Sequence, residues 1–172
     1  HPVKDHATLL RAFATLADQR TGVDLLLVGD GPLRQALERQ IDELNIRPRV
    51  HLLGVRSDVA DLLRASDIFV LSSVSEAASI TLLESKACGL PAVVTDVGGN
   101  PELVRDHVDG LLVPRGDAER LAQALLSLAD RPDLRHAMGT AAATDVADRF
   151  RIQTTIERYQ RLYERNAPTS GI

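Results

Sequence analysis

One stretch, residues 67–102, limits the folds open to this chain more than any other part of it. Along this stretch the sequence reads as a strand, a short polar loop, a helix, a Gly-Pro turn, a second strand and a glycine-rich loop. The two strand segments, 68–71 and 92–94, are apolar at every position. Strands without polar alternation are typical of parallel sheets that are covered on both faces. The stretch therefore predicts a strand–helix–strand unit built on a buried parallel sheet.

The helix of this unit is predicted to begin near Ser79 and to end before Gly89 and Pro91, because glycine and proline terminate helices at these positions. Apolar residues recur along it at helical spacing: Ile80, Leu83 and Ala87. This is the pattern of a helix with one apolar face.

The same alternation of strands and helices continues through the rest of the chain. Further strands are predicted at 23–28, 49–53 and 110–113, and further helices at 5–18, 32–44, 58–64, 100–105, 118–129, 132–150 and 152–165. Because parallel strands are joined by right-handed crossovers, this order predicts an α/β fold with a Rossmann-like, doubly wound parallel sheet. We assign residues 1–150 to that domain and residues 151–172 to a C-terminal helix and tail.

Ligands of such folds bind beyond the carboxyl ends of the strands, at the loops that follow them. Five segments are predicted to lie at this edge: Lys4, 29–31, 54–56, 72–79 and 96–100. Loops from separate parts of the chain are therefore expected to converge on one cleft.

Composition argues against several kinds of partner and site. The formal net charge of −4 disfavours a nucleic-acid binder, which needs a broad basic face. Cys88 is the only cysteine, so no disulfide can form within the chain, and a reducing cytoplasm is the expected location. No apolar run reaches the length of a membrane span, and no Asp-x-Asp or His/Cys spacing predicts a metal site.

Two acids of the central stretch, Glu76 and Glu84, have seven residues between them. At ~1.5 Å per helical residue they lie at most about 12 Å apart, roughly the span from the ribose to the sugar of a nucleotide-sugar. Carboxylates accept hydrogen bonds from paired hydroxyls, and the free N–H groups of the helix start, Ala77 to Ile80, can face a diphosphate. On spacing alone, the pair is explained equally well if Glu84 is a solvated helix acid and Glu76 is a loop acid that caps the helix, with no ligand bound by either.

Glu-x7-Glu followed by ACGLPAVVTDVGGNPELV resembles the donor-site signature of the retaining GT-B glycosyltransferases of family four. The resemblance continues, in the order of the family, through KDHATLLRAFATL, LLLVGDGPLRQALE, RVHLLGVRSDVADLLRASDIFVLSS and DGLLVPRGDAERLAQALLSL. Within the family, the chain looks closest to enzymes of bacterial exopolysaccharide and cell-surface glycan assembly. The resemblance implies transfer of a hexosyl group from a UDP- or GDP-sugar to a hydroxyl of a glycan or lipid-linked acceptor, with no cofactor and no metal.

The resemblance also implies roles for individual residues. Lys4 matches the lysine that binds the donor diphosphate, Glu84 the acid that binds the ribose hydroxyls, and Glu76 the acid near the donor sugar. Val55 and Arg56 match the loop beside the nucleotide base. The remaining donor-binding positions are Gly29, Gly31, Ala77, Ala78, Ser79 and Ile80. We therefore expect Lys4 and Glu76 to serve the chemistry and the other residues to hold the donor.

One position departs from the family pattern, which usually has Glu-Gly-Phe-Gly where this chain has Glu76-Ala77-Ala78-Ser79. Alanine narrows the backbone conformations open to this loop. The family also places a strand ending in Gly-Arg before the segment matched by residues 1–4, and an acceptor-binding N-terminal domain before that strand. We therefore expect this chain to be the C-terminal half of a two-domain enzyme, inactive alone, and the full enzyme to associate peripherally with a membrane.

Three other functions fit parts of the sequence. A dinucleotide enzyme is disfavoured, because Gly29-Asp30-Gly31 continues as G-x-G-x-x-R without a third glycine and the next strand ends without an acid. A sugar-nucleotide epimerase or a glycan phosphorylase shares the architecture. A phosphorylase, however, needs a lysine for its pyridoxal cofactor, and Lys86, the only lysine besides Lys4, lies in a different motif. A non-catalytic assembly module that has lost donor binding stays open.

Overall fold

The computed structural model describes residues 2–150, together with residues 156, 159–161 and 163. Within this part the helices are α1 (His6–Gln19), α2 (Arg34–Glu43), α3 (Val59–Arg64), α4 (Ile80–Ala87), α5 (Asn100–Leu103), α6 (Ala118–Ala129) and α7 (Pro132–Arg149). The strands are β1 (Leu25–Val28), β2 (Val50–Gly54), β3 (Phe69–Leu71), β4 (Ala92–Thr95) and β5 (Gly110–Val113). Two short 3-10 turns, Pro2–Lys4 and Arg47–Arg49, precede α1 and β2.

All pairings between these strands are parallel. Strand β1 pairs with β2, and Leu26 lies opposite His51. In the second sheet β4 lies between β3 and β5, with Val93 opposite Val70 and Leu111. Parallel neighbours joined through helices are the arrangement that the alternating sequence pattern predicts, so the α/β class is confirmed.

A cavity of about 990 Å³ runs along β1 and β3, which do not pair with each other. On β1, Leu26 and Val28 are exposed, and every residue of β3 is half-buried. Strand β4, by contrast, is buried at all four positions. The prediction of strands covered on both faces is therefore right for β4 and wrong for β1 and β3, because those two strands border a cavity instead of a neighbouring strand.

Helices α1 and α6 pack together over the strands and contribute most of the larger apolar cluster. The sequence of α1 predicts an apolar stripe at helical spacing. The prediction is confirmed, since all four members of the stripe are buried: Leu9, Leu10, Phe13 and Leu16. A smaller cluster around Leu82, Val94 and Val104 joins α4 to β4 and the end of α5. This smaller cluster sets where α4 lies relative to the sheet.

Helix α4 forms where the sequence predicts it but buries a different face. Ile80 and Ala87, which the periodicity assigned to an apolar face, are exposed, and the buried residues are Leu82, Ser85 and Lys86. The Ser85 hydroxyl donates to the Leu82 carbonyl, and the Lys86 ammonium donates to a carboxylate. Because both polar side chains have partners, they can be buried, and apolar spacing alone selected the wrong face.

The helix predicted over 152–165 lies mostly outside the described residues. Ile156 and Tyr159, which belong to the described part, are helical and exposed. The assignment of residues 151–172 to a C-terminal helix and tail therefore stays a prediction.

Helix α7 approaches the turn after α4 so closely that backbone touches backbone. A Cβ atom on Gly139 would lie 2.0 Å from the carbonyl oxygen of Gly89. Replacing glycine by alanine inside a helix ordinarily raises stability by about 0.5–1 kcal/mol. We expect Gly139→Ala to lower the free energy of unfolding instead, by about 1–3 kcal/mol, because overpacking displaces α7 from α4. Urea denaturation followed by circular dichroism measures this change.

The neighbouring Thr140, which is exposed on the same helix, provides the control. Thr140→Ala should change the free energy of unfolding by no more than about 0.5 kcal/mol. A Gly139→Ala protein that is more stable than the parent would contradict the close contact between the two backbones.

Candidate functional site

The loops after β1 and β2 meet at one edge of the sheet. The N–H of Gly29 donates to the carbonyl of Gly54 at 2.7 Å, and the two residues have φ values of 116° and 66°. Residues that carry a side chain rarely adopt such backbone conformations. This explains why a glycine stands at the end of β2 and directly after β1. The hydrogen bond places the segments 29–31 and 54–56 side by side.

Lys4 and Glu76 form an ion pair at the same edge although they are 72 residues apart in sequence. The Lys4 Nζ lies 2.5 Å from the Glu76 Oε2, and the Ser73 hydroxyl lies 3.3 Å from the same carboxylate oxygen. The Glu76 side chain is 14% exposed and the Lys4 side chain 41%. The carboxylate is therefore largely enclosed, while the ammonium is open to a ligand.

Hydrogen bonds to the main chain hold Lys4 at the end of β3. The N–H of Val74 donates to the carbonyl of Val3 at 2.8 Å, and the Ser72 hydroxyl donates to the carbonyl of Lys4 at 2.8 Å. Asp5 then caps α1, because its side chain accepts a hydrogen bond from the N–H of Thr8. The start of α1 and the end of β3 thus position the ammonium together.

The loop that carries Glu76 lies directly on the glycine pair after β4. The N–H of Gly99 donates to the carbonyl of Glu76 at 3.0 Å. A Cβ atom on Gly98 would lie 1.7 Å from that carbonyl oxygen, and one on Gly99 would lie 2.1 Å from the carbonyl oxygen of Ala77. Glycine is therefore required after β4, whereas Ala77 and Ala78 are exposed and their side chains fit.

Helix α4 begins in this site with open N–H groups. Ser79 caps it by accepting a hydrogen bond from the N–H of Leu82 at 3.2 Å. Among the described residues, the N–H groups of Ile80 and Thr81 donate to no acceptor. Open amides at a helix N-terminus, together with the helix dipole, favour an anion. Glu84 is exposed one turn beyond Ile80, on the same face of the helix.

The cavity along β1 and β3 reaches these loops. Its lining includes four predicted site residues and the second residue of α4: Lys4, Gly29, Gly31, Ser79 and Thr81. The structure thus gathers these residues around one space. The other predicted site residues do not line this cavity: Val55, Arg56, Glu76, Ala77, Ala78, Ile80 and Glu84.

Val55 and Arg56 lie on the outer part of the loop after β2. Val55 is 83% exposed. The Arg56 guanidinium makes two hydrogen bonds with Asp58, from Nε at 2.8 Å and from Nη2 at 2.6 Å. These bonds raise the pKa of Arg56 and lower the pKa of Asp58. The guanidinium is thereby fixed at the rim, and its expected contact with a nucleotide base stays a prediction.

Arg34 is a basic residue of this edge that the sequence reading did not select. It lines the cavity, and its Nη1 lies 4.0 Å from the position of a Cβ on Gly54. Its Nε is 3.1 Å from the Oε1 of Glu38. The signal was present, because Arg34 ends the G-x-G-x-x-R motif at the first residue of α2.

The sequence analysis also did not predict that Lys86 is buried, because the spacing of apolar residues does not indicate a buried lysine. Its side chain is 0% exposed, and its Nζ lies 2.7 Å from the Oδ2 of Asp145. A pyridoxal cofactor needs an amine that it can reach, so this burial weighs against the phosphorylase alternative.

Among residues 2–150 and the few described beyond them, no three His, Cys, Asp or Glu side chains gather as metal ligands. No helix in that part of the chain has both the length and the apolar character needed to cross a bilayer. Positive charge at this edge is supplied by Lys4, Arg34 and the start of α4, and Arg56 at the rim is paired with Asp58.

Comparison with known proteins identifies relatives along most of the chain. Residues 1–145 match the family model described as glycosyl transferases group 1. The N-acetyl-alpha-D-glucosaminyl L-malate synthase of Bacillus anthracis is 35% identical over 161 residues, which make up 94% of this chain and 42% of that protein.

Solved structures share the fold at similar coverage. Anabaena Alr3699/HepE in complex with UDP superposes with a TM-score of 0.87 at 27% identity, over 95% of this chain and 46% of that one. Sucrose-phosphate synthase from Thermosynechococcus elongatus gives 0.85 at 28% identity, over 96% and 43%. The chain spans less than half the length of these proteins, and its fold is the Rossmann-like C-terminal half of a GT-B enzyme. It belongs to the group 1 glycosyl transferases, the family-four type.

Proposed function

We propose that this chain is the nucleotide-sugar-binding half of a retaining glycosyltransferase that transfers a hexosyl group from a UDP- or GDP-sugar to a hydroxyl of a glycan or lipid-linked acceptor. The observation that carries the proposal is the ion pair of Lys4 with Glu76 beside the open amides of α4. A cation, free N–H groups and a carboxylate at one sheet edge suit a diphosphate joined to a sugar. The UDP bound in the Anabaena neighbour supports the uridine nucleotide as the first to test.

The proposed donor lies along the outward face of α4. Lys4 and the amides of Ile80 and Thr81 bind the diphosphate, because they are the open cation and the open donors of the site. Glu84, on the same face, accepts hydrogen bonds from the ribose hydroxyls. The nucleotide base then lies toward the loop 54–56.

The loop after β1 forms the opposite wall of the proposed site. Gly29 and Gly31 carry no side chains, so a phosphate can approach their backbone closely. Arg34 follows on α2 and supplies a second cation at the same cavity. In the family pattern a partner arginine for Lys4 precedes residue 1, and Arg34 adds to that charge from the other side.

Donor binding must change how the Lys4 ammonium is shared, because in the free domain it pairs with Glu76. The Lys4 ammonium has three N–H donors, so it can keep a bond to Glu76 while it donates to a phosphate oxygen. Sharing the ammonium in this way leaves the Glu76 carboxylate beside the sugar. There it is proposed to accept bonds from sugar hydroxyls and to orient the ring, and it is not assigned the role of a nucleophile.

The proposed transfer proceeds on one face of the sugar. The bond from the anomeric carbon to the diphosphate oxygen breaks, and the acceptor oxygen bonds to the same face of that carbon. The acceptor proton passes to the departing phosphate oxygen. Negative charge grows on the leaving diphosphate, where Lys4 and the α4 amides stabilise it more strongly than in the ground state.

The rest of the enzyme is proposed to come from a second domain. The chain spans 42% of the N-acetyl-alpha-D-glucosaminyl L-malate synthase relative. A site that closes between two domains binds its donor weakly when one domain is absent. The unpaired edges of β1 and β3 support the strand that the family places before the segment matching residues 1–4. The acceptor, a cytoplasmic location and a peripheral contact of the full enzyme with a membrane belong to this proposal.

Removal of the Glu84 carboxylate should weaken nucleotide binding. We expect Glu84→Ala to raise the Kd for UDP, or for GDP if that is the preferred nucleotide, by about tenfold, because a charged acceptor for two hydroxyls is lost. Isothermal titration calorimetry measures the change. Glu119→Ala, which removes an exposed acid from the first turn of α6, should leave the Kd unchanged. Binding of neither nucleotide by the folded parent would favour the non-catalytic module.

Removal of the Lys4 charge should affect only ligands that carry phosphate. Lys4→Met keeps the aliphatic stem, and we expect it to raise the Kd for UDP about tenfold while the affinity for uridine stays the same. The comparison of the two ligands by calorimetry isolates the phosphate contact. Arg39→Met, which removes an exposed cation from α2, is the control. Equal losses for UDP and uridine would show that Lys4 supports the fold of the site instead of binding phosphate.

A further inference from the structure

Lys86 is the second of the two lysines in the chain, and the proposed chemistry does not use it. Its side chain is fully buried on the inner face of α4, two residues after Glu84 on the outer face. The Nζ lies 2.5 Å from the carbonyl oxygen of Leu103, 2.7 Å from Asp145 Oδ2 and 3.4 Å from Asp109 Oδ2. An ammonium has three N–H donors, and here three acceptors surround it.

Each acceptor belongs to a different element, so Lys86 connects α4 to three other parts of the fold. Leu103 ends α5, Asp109 directly precedes β5, and Asp145 lies on α7. The neighbouring contact between the backbones of Gly89 and Gly139 joins α4 to α7 a second time. The inner face of α4 is thereby fixed in both rotation and translation.

Two arginines also pair with the buried carboxylates. Arg105 donates to Asp109 through Nε at 2.7 Å, and Arg149 donates to Asp145 through Nη1 at 3.2 Å. Burial raises the pKa of Asp145, but the hydrogen bonds from Lys86 and Arg149 outweigh that effect and hold the pKa below its usual value. The Asp145 carboxylate is therefore charged near neutral pH, and Asp109 is paired with Lys86 and Arg105.

A network of this kind is better suited to fix geometry than to add stability. An apolar side chain of similar volume could fill the space of Lys86, and replacing a buried ion pair by apolar groups often leaves stability unchanged. Apolar contacts, however, tolerate small shifts of a helix, whereas charged hydrogen bonds specify distance and direction. The consequence falls on the other face of α4, because an eight-residue helix moves as a unit.

We propose that Lys86 is a positioning residue for the donor site. By bonding to Asp145 and to the end of α5, it holds α4 so that the amides of Ile80 and Thr81 and the carboxylate of Glu84 stay aligned with Lys4. The inference rests on the proposed function, since alignment matters only if this face of α4 binds the donor. Lys86 itself touches no substrate, and its effect passes through α4.

The test compares Lys86→Met with a variant that is destabilised elsewhere. Leu128→Ala leaves a cavity in the cluster between α1 and α6, away from α4, and lowers the melting temperature without touching Lys86. Both variants are titrated with UDP well below their melting temperatures, and hydrogen exchange is measured at residues 80–87 and in α1. We expect Lys86→Met to bind UDP about tenfold more weakly than the parent does. Its hydrogen exchange should increase over that of the parent more at residues 80–87 than in α1. Leu128→Ala, whose side chain does not line the cavity, should bind UDP as the parent does.

A second variant keeps the test decisive if Lys86→Met fails to fold. Lys86→Met combined with Asp109→Asn and Asp145→Asn removes the buried charges together, which should restore folding. Its affinity for UDP should stay reduced, because the directional bonds of α4 are still absent. Parent-like affinity in this folded variant, or in Lys86→Met, would overturn the proposal.

Failure of the proposed function would give a different result. If the folded parent binds neither UDP nor GDP, the donor site is wrong, and the positioning role is then judged by hydrogen exchange alone. In that case unchanged exchange at residues 80–87 in Lys86→Met overturns the anchoring of α4, and faster exchange confined to those residues supports it.

Discussion

The contact on which the site depends is made between two backbones. The loop that carries Glu76 lies on Gly98 and Gly99, and any Cβ there would overlap a carbonyl oxygen of the loop. Gly99 also donates a hydrogen bond to the main chain of Glu76, whose side chain bonds to Lys4. The position of the Glu76 carboxylate, which pairs with Lys4, therefore depends on the closeness of two loops, and only glycine allows it. Main-chain contacts therefore determine where the functional side chains at this edge lie.

Helix α4 divides its two faces between binding and anchoring. The outer face presents Ile80, Thr81 and Glu84 to solvent, and the inner face buries Leu82 and Lys86. A helix of eight residues is marginal by itself, so its position comes from tertiary contacts and not from its own propensity. The groups of α4 that can bind an anion, the N–H groups of Ile80 and Thr81, thus have no acceptor among the described residues. The ammonium of Lys86, which keeps the helix in place, has its hydrogen bonds satisfied.

Much of this arrangement can be predicted from the sequence. The wrong predictions share one physical cause, because each depends on contacts between residues that are far apart in the sequence. Strand runs and glycine turns are local patterns, so they predict the elements and the edge where their loops meet. Burial of β1 and β3 was overestimated because apolar runs do not reveal which strands lack a neighbour. The inner face of α4 was missed because Lys86 finds its carboxylate 59 residues away, and no local spacing encodes that pair. The roles of the site residues stay predictions.

Charge adds a final constraint on how a diphosphate can reach this edge. The chain carries a net charge of −4, so its overall field repels a nucleoside diphosphate. The local cations act only within a Debye length of about 8–10 Å at physiological ionic strength. Attraction is therefore confined to the edge itself, where Lys4, Arg34 and Thr81, the second residue of α4, line one cavity. Recognition by such a site depends on short contacts in fixed positions, which is why the placement of α4 matters as much as the charges it faces.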